Sequence, residues 1–257
     1  MGAPTVSDNR RIRWITLNRP DAANALRVQD LDVIAEAVTT DLAGIRAVVI
    51  TGQGDRAFSA GMHLDTFRDA DREGSRRSIA SVGRCIAAVR TCSVPTLAVV
   101  NGACIGAAFE LVLACDLRIA APGVRFGLPE VKLGVPSVVD AALLPHFIGL
   151  SKARELILTG NMYALEELGV DRLVSRVVPH EALESAAREL IEQVIAHSPE
   201  VLTAQKSLFE TWLNCSLRES VDISMDVFAT MFDLPSTTEN IAAYAAGRSR
   251  SSRPPAG

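Results

Sequence analysis

Residues 96–136 read TLAVVNGACIGAAFELVLACDLRIAAPGVRFGLPEVKLGVP, a stretch that holds two carboxylates in apolar surroundings. Glu110 interrupts a run of small apolar residues, and burying a charged carboxylate without partners is costly. Glu130 follows Gly-Leu-Pro, where a turn after a strand would bring it to an edge. Two acids beside one apolar pocket are what general acid–base chemistry at a neutral carbon requires. We predict that this pair carries the chemistry; the competing interpretations are a surface acid on an amphipathic helix and an acid exposed at a turn.

Strands and helices alternate on both sides of this stretch. Apolar runs and alternation predict strands at 12–18, 47–51, 96–100, 116–120 and 173–178. Three-and-four spacing predicts helices at 26–42, 78–89, 104–114, 151–160, 182–196, 199–212, 217–232 and 237–246. From Glu181 onward the pattern is helical throughout. This change predicts an α/β core over residues 1–195 and a helical C-terminal region over residues 196–257.

Three local patterns add finer expectations. The polar segment 69–74 is expected to be a mobile link before the helix at 78–89. Pro145 is expected to break a helical turn that opens at residue 136. Ser151 is expected to cap the helix that ends at Gly160.

Composition excludes several classes of protein. The 257 residues are 48% apolar and 22% charged, with a net charge of −4, which argues against a general nucleic-acid-binding protein. No apolar run approaches the roughly 20 residues of a membrane span, and the N-terminal residues lack a signal-peptide core. Five cysteines, mostly in apolar segments, indicate reduced thiols in a cytoplasmic protein. Four scattered histidines give no metal-ligand spacing, so we expect no metal site.

Residues 52–64 form a stretch with three glycines after a predicted strand. Glycine allows a backbone to approach a ligand closely or to turn with positive φ. A plain surface turn explains the same composition equally well. Both interpretations stay open on these residues alone.

Several motifs in order resemble the crotonase superfamily, also called the enoyl-CoA hydratase/isomerase family. They are LNRPDAANAL at 17–26, AFSAGMHL at 57–64, NGACIGAAFELVLACDLRIA at 101–120, FGLPEVKLGVP at 126–136, LTGNMYALEELGVDRLVSRVVP at 158–179 and the C-terminal ENIAAYAAGRSRSSRP. The resemblance covers nearly the whole chain. It implies a spiral of stacked ββα units, followed by a helical region that assembles homotrimers or dimers of trimers.

The resemblance also implies an activity. Members of this family bind coenzyme A thioesters and stabilise a thioester enolate with two backbone amides, which by motif position belong to Met62 and Ala107. Glu110 and Glu130 match both glutamates of the hydratases, including their separation of 20 residues. In that pattern Glu130 is the main acid, which delivers a proton to the α-carbon, and Glu110 is its partner, which helps to hold and activate the water. The expected reaction is reversible syn addition of water to a 2-enoyl-CoA, with no cofactor beyond the coenzyme A of the substrate.

The contacts to coenzyme A carry over from the same resemblance. The loop after Asp21 stands where family members hold the adenine and pantetheine, largely through backbone. The implied substrate-binding residues are Ala22, Ala23, Ala25, Ala60, Leu64 and Ser137. Cations for the phosphates are expected from Arg19, Arg27 or Arg248, although each of these is as readily explained as a solvated surface arginine.

Three positions depart from the family pattern. Ala107 stands where glycine is common, and His63 replaces the usual acid; a structural histidine is favoured there over a catalytic one. After Glu130, the Pro-Gly-x-Gly-Gly run of hydratases is replaced by Pro-Ser-Val-Val-Asp at 136–140, with valines that are expected to narrow or reshape the acyl pocket. Asp140 is expected on a helix surface, with a third acid in the site as the alternative.

Two alternative functions stay open beside the hydratase. A double-bond isomerase or an acyl-CoA hydrolase would use the same amides with only one of the two acids. A protein that binds coenzyme A esters without turning them over would retain the fold and lose the chemistry. Retention of both glutamates argues against that loss.

Overall fold

The structure, a computed structural model, describes the backbone of residues 2–251 and the side chains of residues 2–246. The chain divides into two units, the first ending at Ala196 and the second beginning at His197. The boundary expected from the sequence lies one residue earlier. The assembly role expected for the second unit stays a prediction.

The strands of the first unit belong to two sheets. They are β1 (Thr5–Asn9), β2 (Ile12–Leu17), β3 (Ala47–Gly52), β4 (Ala57–Ser59), β5 (Thr96–Val100), β6 (Ala103–Ile105), β7 (Leu117–Ala120), β8 (Arg125–Gly127), β9 (Tyr163–Ala164) and β10 (Arg176–Val177). β1, β2, β3, β5, β7 and β10 form the larger sheet in that order, and β4, β6, β8 and β9 form the smaller one. β1 runs antiparallel to β2 and β9 antiparallel to β8, while the other neighbouring strands are parallel.

Helices connect these strands and make up the whole of the described second unit. Those of the first unit are α1 (Val28–Thr39), α2 (Arg72–Arg90), α3 (Ala107–Ala114), α4 (Leu144–Ile148), α5 (Leu150–Thr159), α6 (Leu165–Leu168), α7 (Val170–Leu173) and α8 (Leu183–Ile195). Those of the second unit are α9 (Pro199–Asn214), α10 (Leu217–Thr230) and α11 (Pro235–Ser251).

A strand–strand–helix unit repeats through the core. β3, β4 and α2 form one such unit, and β5, β6 and α3 form the next. In each unit the first strand joins the larger sheet and the second strand joins the smaller one. All five residues of β5 are buried, as expected for a parallel strand covered on both faces. This repeat places the start of α3 directly after the second, short strand of its unit.

The structure confirms the strand predicted at 96–100, and those predicted at 12–18, 47–51 and 116–120 within one residue at an end. The strand predicted at 173–178 was too long, because residue 173 ends α7 and β10 covers only Arg176–Val177. The structure also contains strands that the sequence did not reveal. β1 is exposed along its whole length, so it lacks the alternation of apolar and polar residues that marks a half-buried strand in a sequence. The strands of the smaller sheet are three residues long or shorter, which is too short for a period-two pattern to register.

Three local expectations were wrong. α2 begins at residue 72, because the Asp71 carboxylate caps it by accepting a hydrogen bond from Gly74 N at 2.7 Å. Pro145 lies in the first turn of α4, where its missing N–H would have no helical acceptor anyway. Ser151 lies inside α5, and Gly149 occupies the capping position.

The described part of the second unit, residues 197–251, consists of helices and short connecting turns, as predicted from the sequence. α9 and α10 pack together, and Trp212 Nε1 donates a hydrogen bond to Ser224 Oγ at 2.9 Å. Ser216 and Glu219 form a reciprocal capping box that begins α10. Along the described residues of both units, every helix is too short or too polar to cross a membrane.

Candidate functional site

Glu110 lies in the first turn of α3 and is buried. The helix begins after Gly106, and every residue from 108 to 114 is buried. Glu110 itself is 3% exposed. α3 packs against α2 and against a short 3-10 turn, Val139–Leu143. The expectation of a buried acid is confirmed, and the surface-acid interpretation is wrong.

Burial changes the acidity of Glu110. Loss of solvation, together with the negative charges of Glu130 and Asp140, raises the pKa of Glu110 to about 8. A hydrogen bond from the backbone of Ala141 opposes this rise by favouring the charged form. Glu110 therefore carries a proton at neutral pH, which suits a group that exchanges protons with a substrate.

Glu130 lies against the start of α3. It follows Pro129 at the beginning of a 3-10 turn, Glu130–Leu133, and is half-buried. A Cβ atom placed on Gly106 would come within 2.8 Å of Glu130 Oε1. Ser137 Oγ donates a hydrogen bond to Glu130 Oε2 at 2.8 Å. The tertiary structure thus brings the two predicted acids to the same end of one helix.

The Met62 amide, one of the two predicted oxyanion donors, lies beside a single parallel bridge between Leu26 and Met62. Leu26 N donates to Gly61 O at 2.8 Å, and His63 N donates to Leu26 O at 2.7 Å. Because these bonds use the groups on either side of Met62, the N–H of Met62 points away from Leu26.

The Ala107 amide, the second predicted donor, belongs to the first residue of α3, whose N–H has no acceptor within the helix. A Cβ placed on Gly61 would come within 2.6 Å of Ile105 O and 3.4 Å of Ala107 N. The backbone just before Met62 therefore lies against the start of α3. Within residues 2–251, neither Met62 N nor Ala107 N donates to a backbone carbonyl outside helices and strands.

The loop predicted to hold coenzyme A packs against the glycine-containing stretch 52–64. Ala60 N donates to Ala23 O at 2.8 Å, and the Asn24 side chain donates to Gln53 O and Ala57 O at 3.0 and 2.9 Å. Of the nominated residues, Ala22, Ala23, Ala60 and Ser137 are half-buried, Ala25 is buried and Leu64 is exposed. These bonds make the stretch part of the site scaffold and exclude a plain surface turn.

The arginines nominated for the phosphates have different environments. Arg19 pairs with Asp30 at 2.7 Å and also donates to Ala25 O, so it holds the loop in place; its role as a cation for the phosphates stays a prediction. Arg27 is exposed, and the Arg248 side chain lies outside the described residues. Arg56, which the sequence did not single out, is exposed and donates to Pro20 O at 3.2 Å beside a small cavity of about 80 Å³.

His63 has a local structural role. Its Nδ1 accepts a hydrogen bond from Asp65 N at 3.3 Å and so caps the 3-10 turn Leu64–Thr66. Asp65 Oδ2 lies 3.4 Å from the same nitrogen. The structural interpretation of His63 fits these contacts.

Asp140 is not on a helix surface, so that expectation was wrong. It is 8% exposed, and Arg90 Nη1 lies 2.7 Å from its Oδ1 and 2.5 Å from its Oδ2. Arg90 is the last residue of α2, and its side chain is only 27% exposed. The two residues are 50 positions apart, so no local sequence pattern could have paired them.

Comparison with known proteins identifies the family. Residues 7–251 match the family model described as enoyl-CoA hydratase/isomerase. The chain is 36% identical over 247 residues to the "Probable enoyl-CoA hydratase echA8" of Mycobacterium bovis, covering 93% of both chains. It is 26% identical over 239 residues to the short-chain-enoyl-CoA hydratase of Clostridium acetobutylicum, covering 91% of both.

A solved structure gives the same result for the fold. The enoyl-CoA hydratase of Bacillus anthracis superposes with a TM-score of 0.88 at 27% identity, covering 96% of this chain and 97% of that one. This likeness confirms the predicted crotonase-like fold. The chain belongs to the enoyl-CoA hydratase/isomerase family.

Proposed function

We propose that the protein catalyses the reversible syn addition of water to a 2-enoyl-CoA thioester, giving a 3-hydroxyacyl-CoA. The observation that carries this proposal is the pairing of two glutamates at the start of α3, where the charge of Glu130 acts on the buried Glu110. Hydration needs one group that delivers a proton to C2 and another that takes a proton from water at C3. The hydratase names of similar proteins support the same reaction.

The backbone amides of Met62 and Ala107 are proposed to bind the thioester oxygen. That oxygen gains negative charge as water adds at C3, so fixed donors aimed at it stabilise the transition state more than the ground state. The placement of the Gly61 backbone against Ala107 supports this role. Removing one donor of this kind costs about 10²–10³ in rate in comparable sites.

The two acids divide the proton transfers between them. We assign proton delivery to C2 to Glu130 and activation of the water to Glu110, as the family resemblance implies. The reaction balances: the O–H of water supplies OH to C3 and one proton to the pair, and the pair returns one proton to C2. Because burial raises the pKa of Glu110, we propose that Glu110 passes its proton to Glu130 when substrate binds and so becomes able to activate the water. No cofactor is needed beyond the coenzyme A that the substrate carries.

A direct assay tests the proposal. Purified protein is given crotonyl-CoA and longer 2-enoyl-CoA esters, and the loss of enoyl absorbance is followed. Glu110→Gln and Glu130→Gln should each lower kcat by about 10²–10⁴-fold, the usual contribution of a positioned acid or base. Glu192→Gln, at an exposed glutamate on α8, is the matched control and should keep full activity.

The same assay separates the alternatives. An isomerase or hydrolase that uses one acid would keep most of its activity in Glu110→Gln. A protein that only binds coenzyme A esters would be stabilised thermally by them without turning any of them over. Absence of absorbance loss with every chain length, at concentrations that produce binding, would refute the hydratase proposal.

We propose that the second unit assembles the chain into a homotrimer or a dimer of trimers. Large apolar side chains of α9, α10 and α11 are exposed, among them Leu217, Phe228 and Tyr244 at 82%, 66% and 68%. Apolar area of this extent is typical of surfaces buried between subunits. Phe228→Lys should lower the mass measured by light scattering, whereas Leu158→Lys, at an exposed apolar residue of the first unit, should not. A monomeric wild-type protein at micromolar concentration would contradict the assembly.

A further inference from the structure

The turn over residues 137–141 contacts Glu130 and packs against the helix that carries Glu110. Ser137 Oγ donates to Glu130 Oε2 at 2.8 Å, and the 3-10 turn Val139–Leu143 packs against α3. Asp140, in this turn, is buried and bound by Arg90 through both carboxylate oxygens. The segment that departs from the glycine-rich family pattern is thus attached to Glu130, to α3 and to α2.

The turn has an unusual backbone conformation. Val139 has a φ of +51°, in the left-handed region that a β-branched residue rarely adopts. Such a conformation persists only where the surrounding structure fixes it. Asp140, the residue after Val139, is bound by Arg90 at the end of α2, a helix whose Val82, Ile86 and Val89 are fully buried.

We propose that the Arg90–Asp140 ion pair positions the acid pair, by holding the turn over residues 137–141 against α3 and by fixing a negative charge beside Glu110. Neither residue is assigned contact with the substrate, so both are positioning residues. The inference rests on the roles proposed above for Glu110 and Glu130. It assigns a positioning role to Arg90, which lies on α2 and not on α3, the helix that carries Glu110.

Two negative charges act on Glu110, those of Glu130 and Asp140. The elements packed against α3 also carry Arg90 and Cys85 on α2 and Cys104 on β6. At the C-terminal end of α3, away from Glu110, Arg118 donates to Cys115 O. Burial raises the pKa of Cys85 and of Cys104, so both thiols stay neutral. Asp140 is therefore the charge whose removal acts on Glu110 without removing one of the two acids.

Asp140→Asn tests the charge. The amide keeps an acceptor for Arg90 but loses the negative charge that raises the pKa of Glu110, so this pKa should fall. The readout is the infrared carboxyl band of protein labelled with ¹³C-glutamate, titrated from about pH 5 to pH 10 and assigned with Glu110→Gln. The loss of kcat/KM at high pH, which reports the titration of the free protein, should move to lower pH by the same amount. Asp8→Asn, in the Arg13–Asp8 pair on the edge of the larger sheet, is the matched control and should change neither.

Asp140→Ala tests the holding of the turn. It should lower kcat by about 10–100-fold with little change in KM, because displacement of the acids slows the reaction of bound substrate and hardly affects substrate binding. If the ion pair holds the Val139 conformation, the fall in Tm caused by Asp140→Ala should be smaller in a Val139→Gly background. An equal fall in both backgrounds would overturn the holding role.

Two results separate this inference from the proposed function. An unchanged Glu110 titration in Asp140→Asn protein that melts at the wild-type temperature would overturn the charge role. The infrared titration needs no turnover. If Asp140→Asn shifts the titration of Glu110 but the wild-type protein hydrates no enoyl-CoA, the hydratase proposal is refuted and the effect of Asp140 on Glu110 is retained. Should Asp140→Asn fail to fold, Asp140→Glu, which keeps the charge but displaces it, must lower kcat, and wild-type kinetics in that variant would overturn the positioning role.

Discussion

Glu130 Oε1 lies 2.8 Å from the position that a Cβ atom would take on Gly106. Gly106 has a φ of +58° and precedes the first residue of α3, and its N donates to Gly127 O at 2.9 Å. The carboxylate therefore rests directly on the backbone next to the Ala107 amide. The glycine leaves the space that the acid occupies.

Gly106→Ala should displace Glu130 and lower kcat by about 10²-fold, since a misplacement of about 1 Å in a catalytic group can cost that much. The clash is with the flexible end of a side chain, so most of the stability loss should come from the positive φ. Gly123→Ala is the control, because Gly123 has a φ of +69° with open space around its Cβ position. Equal kcat in the two variants would contradict the proposed placement of Glu130.

Gly61→Ala should damage the predicted oxyanion site through the backbone. The new Cβ would meet Ile105 O at 2.6 Å, and backbone cannot move aside as a side chain can. We expect a kcat loss of about 10²–10³-fold, as for losing one oxyanion donor, together with a lower Tm. Gly44→Ala, at a φ of +80° with nothing nearby, should lower Tm while leaving kcat intact. Full activity in Gly61→Ala would argue against the Met62 amide as a donor.

Glu110→Gln should change how stability depends on pH. The folded pKa of about 8 lies above the ordinary 4.5, so between these values the folded form holds a proton that the unfolded form has lost. The free energy of unfolding of the wild-type protein therefore falls as pH rises from about 4.5 to about 8, by about 1.4 kcal/mol per pH unit at most. Glutamine has no such titration. The free energy of unfolding of Glu110→Gln, measured relative to that of the wild-type protein, should therefore rise by about 3–5 kcal/mol between pH 5 and pH 9.

Denaturant unfolding at several pH values measures this difference. The exposed Glu192→Gln supplies the control, and its difference from wild type should not depend on pH in this window. Parallel pH curves for Glu110→Gln and wild type would mean that Glu110 is not protonated in the folded protein at neutral pH.

Ser137→Ala should lower kcat by about tenfold with little change in KM. The substitution removes the hydrogen bond to Glu130 Oε2, and one bond to an ionised group contributes about 1.5 kcal/mol. Ser185→Ala, which removes an exposed hydroxyl that donates to Ala182 O, is the control for steady-state kinetics. A higher KM with unchanged kcat would instead support the direct substrate contact implied for Ser137 by the family resemblance.

Much of the site could be predicted because its signals are local. The apolar run around Glu110 predicted a buried acid, and the run at 96–100 predicted the buried strand that leads to it. The chain order of the motifs predicted the family and its fold. Such features follow from the periodicity and residue type of neighbouring positions, which a single sequence displays directly.

The surroundings of the acids could not be predicted in this way. Val139 adopts a positive φ although its residue type disfavours it, and Pro145 lies inside a helix that it was expected to break. Asp140 looks like a surface residue in the sequence because its cation lies on another helix. Each of these outcomes depends on packing between distant segments, which overrides local propensity.

The sequence by itself determined the family, the α/β core with its helical C-terminal region, and the identity of the two glutamates, because apolar patterning and residue chemistry are written position by position. Only the tertiary structure decided that Glu130 rests on Gly106, that Ser137 holds Glu130, and that Arg90 binds a buried Asp140 beside Glu110. The physical reason is that a pKa or a hydrogen bond depends on distance and burial, and these exist only once the chain has packed.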